Sequence, residues 1–120
     1  MAAQPIVHIE LVTTDPKAAG QFYQEVFGWK LDLDPTFDYL QFEAQGGPGG
    51  AFIKPDNDNA GANAVIYLAS DDIDADLSRV QAAGGQVVVP KTEIPQTGWF
   101  AIFSDPSGSR MALYQSMHAH

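Results

Sequence analysis

The chain has no cysteine, so neither a disulfide, a thiolate-bound zinc nor a thiol nucleophile can enter its fold or its chemistry. Basic residues are scarce: six Lys and Arg stand against 15 Asp and Glu, a formal net charge of -9, and the six are scattered rather than clustered. A field of that sign repels phosphate backbones and anionic lipid, which argues against nucleic-acid and membrane partners. Long apolar runs are missing as well. None approaches the ~18 residues needed to cross a bilayer, and the opening MAAQPIVHIE has no basic region followed by an apolar stretch, so a cytoplasmic protein is the expectation. The acidic excess is read most simply as a solubility device. What is present is 120 residues, the length of one domain that buries about two-thirds of its unfolded surface and needs no covalent staple.

Residues 6–14 alternate, with Val7, Ile9 and Leu11 on one face and His8, Glu10 and Val12 on the other, the pattern of a half-buried strand. Asp15-Pro16 then supplies an N-cap and a proline at the first helical position, and Ala19, Phe22, Tyr23, Val26 and Phe27 recur at helical spacing up to a stop at Gly28. The aromatic stripe Phe22, Tyr23 and Phe27 reads as core. Three short strands follow at residues 29–33, 39–43 and 51–54, with residues 46–50 as a glycine-rich turn between the last two.

Beyond a polar stretch at residues 55–62 the same order of signals begins again. A strand over residues 64–69, an N-cap at Asp71-Asp72, a stripe of Ile73, Leu77, Val80 and Ala83, and a stop at Gly84-Gly85 lead to strands over 86–90, 99–103 and 110–115. A shift of 57 residues lays Asp15 on Asp72, Gly28 on Gly85, Leu11 on Leu68 and His8 on Val65, which an internal duplication explains. The expected organisation is therefore one α+β domain of two βαβββ modules, about 5–55 and 63–116, joined by a linker over about 56–62. A module of some 55 residues with one helix leaves a sheet face uncovered, so the two are expected to pack together as a curved sheet around a cleft lined by His8, Glu10 and Tyr67.

At this point the phrases become specific: His8, then Asp15, then Phe22-Tyr23, then Glu-Val-Phe-Gly-Trp at residues 25–29, with Gly-Trp-Phe-Ala at 98–101 and Asp-Pro-Ser-Gly at 105–108. In their order, spacing and duplication they resemble the glyoxalase/bleomycin-resistance/dioxygenase (vicinal oxygen chelate) superfamily over nearly the whole chain. The resemblance implies a divalent ion held by His, Gln or Glu on inner strands of both halves, with His8 at the first-strand ligand position. It transfers no further. The matching positions carry Val65 (or Ala64), Ala112 and Ala51 or Phe52, none of which has a donor, whereas a catalytic ion needs about three protein ligands. Glu10 is the one candidate second ligand. The other histidines, His118 and His120, lie at the end of the chain. The expectation is no cofactor, with a divalent metal at His8 and Glu10 as the alternative.

The candidate catalytic residues are His8 and Glu10, an imidazole that titrates near neutrality with a carboxylate to orient it; a structural, hydrogen-bonded histidine is the competing reading. Tyr67, Trp99 and Tyr114 are candidate ligand-binding walls and Arg110 a candidate anion contact, each weighed against ordinary packing or solvation. The acidic run Asp71, Asp72, Asp74 and Asp76 lacks the glycine and distal Glu of a calcium loop and reads as a capped, dipole-matched helix start. Two functions follow. The first is a small-molecule-binding protein without a complete catalytic metal site, comparable in kind to bleomycin-resistance proteins. The other is a glyoxalase-like lyase or isomerase using His8 and Glu10 for metal binding or proton transfer. A homodimer is expected from the resemblance and from short edge strands.

Overall fold

The computed structural model describes residues 3–35, 38–56 and 62–118. Its elements run β1 (Ile6–Val12), α1 (Pro16–Phe27), β2 (Lys30–Asp34), β3 (Tyr39–Glu43), β4 (Gly49–Ile53), β5 (Ala64–Ala69), α2 (Ile73–Ala82), β6 (Gln86–Ile94), β7 (Gly98–Ser104) and β8 (Arg110–Ser116). This is the expected α+β order, βαβββ given twice. Contacts gather the residues into two compact units, 7–66 and 67–120 with 1–6. The linker core, residues 57–61, lies outside the described residues.

The duplicated signals work as local physics requires. Asp15 accepts a hydrogen bond from the Ala18 amide at 3.1 Å, and Asp72 accepts one from the Ala75 amide at 3.1 Å. Each cap satisfies an N–H that the first helical turn leaves open, a stabilisation of about 1 kcal/mol. Helix α1 ends on Gly28 in the left-handed region (φ 74°), whose amide donates to the Gln24 carbonyl at 3.0 Å. In the second module the left-handed residue is Gly84 (φ 96°), one place earlier than the repeat alignment puts it. Gly85 is required for a different reason: a Cβ there would stand 2.6 Å from the Ser104 carbonyl oxygen.

In the first unit the strand order is β2-β3-β4-β1, with β1 parallel to β4 and the other pairs antiparallel. Register fixes the two faces. Leu11, Phe52, Leu40 and Leu33 lie side by side and face α1, while Glu10, Ala51, Gln41 and Asp32 line the other face. Helix and sheet meet closely at Gly20, where a Cβ would come within 3.0 Å of a Leu40 methyl. Tyr23 reaches inward from there to stack on Trp29 (centroids 4.7 Å), which stacks on Phe42 (4.4 Å). Trp29 is spent on this stack, so β2 begins at Lys30 rather than at residue 29.

Two expectations fail in this unit. Of the aromatic stripe only Tyr23 packs inward; Phe22 is 53% exposed and Phe27 61%, with Val26 beside them at 55%. The stripe is wider than the contact that Gly20 and Tyr23 make, and Phe22 sits about 100° around the helix from Tyr23. The glycine run 46–50 is only partly a turn. Gly49 and Gly50 are strand residues, and a Cβ on Gly50 would collide with the Ile9 carbonyl oxygen, so glycine there lets β1 and β4 approach.

In the second unit the order is β5-β8-β7-β6, with β5 parallel to β8. Its core is Ile73, Leu77, Ala101 and Leu113, with Leu68, Val87, Trp99 and Phe103 packed against it. Strand β6 runs on to Ile94 through two register irregularities, beyond the expected end at residue 90. The acidic run divides: Asp72 caps the helix, but Asp76 is buried. Its carboxylate accepts from Ser70 Oγ at 2.6 Å and from Gln4 Nε2 at 2.9 Å, and it pairs with Arg79. It ties the N-terminal segment and the β5 end to α2, beyond any dipole effect.

Candidate functional site

Strand β1 puts His8 and Glu10 on the sheet face turned away from α1, as the alternation implies. Both are half-buried. The residue that joins them is Tyr39, from the start of β3. Its hydroxyl donates to Glu10 Oε2 at 2.5 Å and lies 2.7 Å from His8 Nε2, with the His8 and Tyr39 rings stacked at 6.1 Å. Strand β4 lies between β1 and β3, and on this face it carries Gly49, Ala51 and Ile53; the two small residues, level with His8 and Glu10, leave room for the phenol to cross.

A phenol has one hydrogen, and here it goes to a carboxylate that can only accept. The same oxygen is the partner of His8 Nε2. Burial lowers the His8 pKa below its ordinary value, partly offset by the Glu10 carboxylate, which favours the charged ring. The ring is accordingly neutral at physiological pH. The arrangement can hold a polar ligand group in fixed orientation, or accept a proton on the imidazole.

This donor set does not fit a catalytic divalent ion. His8 Nε2 and Glu10 Oε2 are both engaged by the Tyr39 hydroxyl. Among the described residues no group of three or more His, Cys, Asp or Glu is gathered to hold an ion. His118 is held at the β6–β7 hairpin of its own unit, Nε2 at 3.1 Å from the Gln96 carbonyl oxygen. His120 lies outside the described residues.

The remaining candidates belong to the second unit. Tyr67 is buried beside Ala112, and Tyr114 is half-buried beside Ala69 with its hydroxyl 3.4 Å from the Thr97 carbonyl oxygen. Arg110 opens β8, exposed, on the same face as Ala112 and Tyr114 and level with Ser104. Trp99 is on the opposite face of that sheet, against the Ile73–Leu113 cluster with Lys91 Nζ 4.7 Å from its ring centre, which is the packing use of the side chain. The structure thus brings His8 and Glu10 together and keeps Trp99 apart from Tyr67 and Tyr114. The turn at residues 105–108 is self-contained. Asp105 accepts from the Ser107 hydroxyl at 2.6 Å and from the Ser109 amide at 3.1 Å, and these bonds lower its pKa.

Tyr39 is the site residue that sequence reasoning missed. The alternation of Tyr39, Gln41 and Glu43 with Leu40 and Phe42 already put it on the polar face of its strand. Nothing local said that β3 would stand one strand away from β1.

Residues 5–113 match the model of the Glyoxalase/Bleomycin resistance protein/Dioxygenase superfamily. A Mycobacterium tuberculosis protein provisionally named glyoxylase CFP32 is 33% identical over 115 residues, 90% of this chain and 44% of its own. The anthracycline biosynthesis protein DnrV of Streptomyces peucetius is 31% identical over 123 residues, 88% of this chain and 45% of its own. The chain thus spans less than half the length of these curated relatives. Among solved structures, methylmalonyl-CoA epimerase from Mycobacterium tuberculosis superposes with a TM-score of 0.70 at 13% identity, covering 92% of this chain and 87% of that one.

Proposed function

Because this chain belongs to the glyoxalase/bleomycin resistance protein/dioxygenase superfamily, we propose that it binds a small organic molecule on the His8 face of its first module without a catalytic metal. The hydrogen-bonded row of His8, Tyr39 and Glu10 supports this reading. Three polar groups held half-buried above small residues are the anchoring part expected of a small-molecule site. Relatives named for anthracycline biosynthesis and for glyoxylase chemistry suggest the first probes: an anthracycline, methylglyoxal with a thiol, and methylmalonyl-CoA.

The test is a binding titration of the full chain against these probes, repeated with His8→Gln and Glu10→Gln. Affinity should fall about tenfold or more in each variant, the worth of one charge-assisted hydrogen bond. Unchanged affinity in both, with folding intact, would place the ligand elsewhere.

A second reading is a lyase or isomerase, favoured by the neutral, oriented His8 ring, the state a general base needs. Its signature is deuterium uptake from D2O into the carbon next to a probe's carbonyl, lost in His8→Gln. A homodimer belongs to the same proposal, supported by the exposed apolar flank of α1 at Phe22, Val26 and Phe27.

A further inference from the structure

We propose that two copies of this chain pack α1 against α1 in antiparallel orientation, about a two-fold axis near Gln21 and Phe22. This arrangement rests on the homodimer reading above and specifies which faces meet. On the solvent side of α1 two neighbouring stripes run at four-residue spacing, Ala18, Phe22 and Val26 along one and Lys17, Gln21 and Glu25 along the other. All six residues are exposed, Phe22 at 53% and Val26 at 55%, while Gly20 and Tyr23 on the opposite side hold the helix to its sheet. Covering the apolar stripe is left to a second molecule.

Turned end for end, each stripe complements itself. In an antiparallel pair the same flank of each helix faces its copy, so Lys17 meets the partner's Glu25, Gln21 meets the partner's Gln21, and Glu25 meets the partner's Lys17. The apolar row does likewise: Phe22 lies by the axis, and small Ala18 stands opposite the partner's Val26. A parallel pair would instead set Lys17 on the partner's Lys17 and Glu25 on the partner's Glu25, and like charges face to face disfavour it. Lys17 and Glu25 lie about 12 Å apart along the axis, too far for an intrahelical pair. Charge also selects the occupant. At a net charge of -9 two copies repel over most of their surface, and contact is favoured where acid and base balance, as they do on these stripes with one of each. Phe27, 61% exposed at the helix end, extends the apolar area. A contact centred on one helix of 12 residues is at the small end of interface sizes, so the dimer dissociates on dilution.

Sedimentation equilibrium of the full chain at low salt, over a range of concentrations, tests this with charge exchanges. Lys17→Glu and Glu25→Lys each turn both symmetric contacts from attractive to repulsive, and each should weaken dimerisation about tenfold. Neither harms the helix, because an acid near its N-terminus and a base near its C-terminus suit the helix dipole; circular dichroism checks the fold. Glu25→Lys is the more telling variant. It removes part of the net negative charge, so general repulsion alone would make its dimer tighter. The combined Lys17→Glu, Glu25→Lys chain restores opposite charges at both contacts and should return to within about threefold of the parent. An equimolar mixture of the two single variants should do the same as a heterodimer, in which every contact again joins acid to base. A dimer unchanged or tightened in Glu25→Lys, or a combined variant as weak as the single ones, would overturn the antiparallel contact and leave a homodimer of another geometry. A parent chain that is monomeric throughout would overturn both.

Discussion

Replacing Asp76 by alanine tests whether this carboxylate ties the second unit together or merely decorates a helix start. The two roles differ in size. An exposed acidic residue in the first helical turn stabilises by about 0.3–1 kcal/mol through the helix dipole. Asp76 instead is 8% exposed, accepts from Ser70 and Gln4 and pairs with Arg79. Gln4 is exposed and the Arg79 side chain 53% exposed, so on truncation both can turn to water. Ser70 cannot, being 7% exposed. Losing a charged acceptor and stranding a buried hydroxyl costs about 2–3 kcal/mol. For a chain of this length that lowers Tm by roughly 8–12 °C, interpolating between smaller and larger domains. Urea unfolding followed by circular dichroism gives the free energy directly, with Asp74→Ala as the exposed control, expected within about 0.5 kcal/mol of the parent. In a cycle with Ser70→Ala the two losses should overlap by about 1 kcal/mol or more, because both remove the same bond. Equal, small effects at positions 74 and 76 would refute the tether.

Three further outcomes are expected. Gly50→Ala should be among the most damaging small substitutions, about 3 kcal/mol or more, because its methyl meets the Ile9 carbonyl; Gly46→Ala, at a left-handed turn with open space around it, should cost only about 1 kcal/mol. Stability should depend on His8 below neutrality. With the folded pKa lowered, the unfolded chain binds the proton first, so stability is full above about pH 6.5 and falls as the pH descends through the folded value. His8→Gln should flatten unfolding free energy across that interval, and an unchanged slope would show that other groups carry it. Light scattering at micromolar concentration should give twice 12.9 kDa, with Phe22→Ser and Phe27→Ser shifting the mass towards the monomer; a monomer at every concentration would refute the dimer.

The elements were legible because their causes are local. An N-cap works on the amides two and three residues ahead, a helix stop needs one residue that tolerates positive φ, and strand alternation needs only the residue's own backbone. The caps Asp15 and Asp72, the stop at Gly28 and the opposite facing of Ile9 and Glu10 follow from sequence for that reason. So does the βαβββ repeat, and with it the superfamily. What local pattern could not say is which strands become neighbours, or how much of an apolar stripe a neighbour covers. Phe22 and Phe27 are as apolar as Tyr23, yet the close approach at Gly20 leaves them in solvent; Asp76 is as acidic as Asp74, yet Ser70 and Gln4 close over it. The same holds at the site. His8 and Glu10 share a face through the two-residue period of one strand, a short-range fact. Tyr39 joins them only because β4 inserts between β1 and β3 with Gly49 and Ala51 level with His8 and Glu10, and strand order is set by the packing of the whole module.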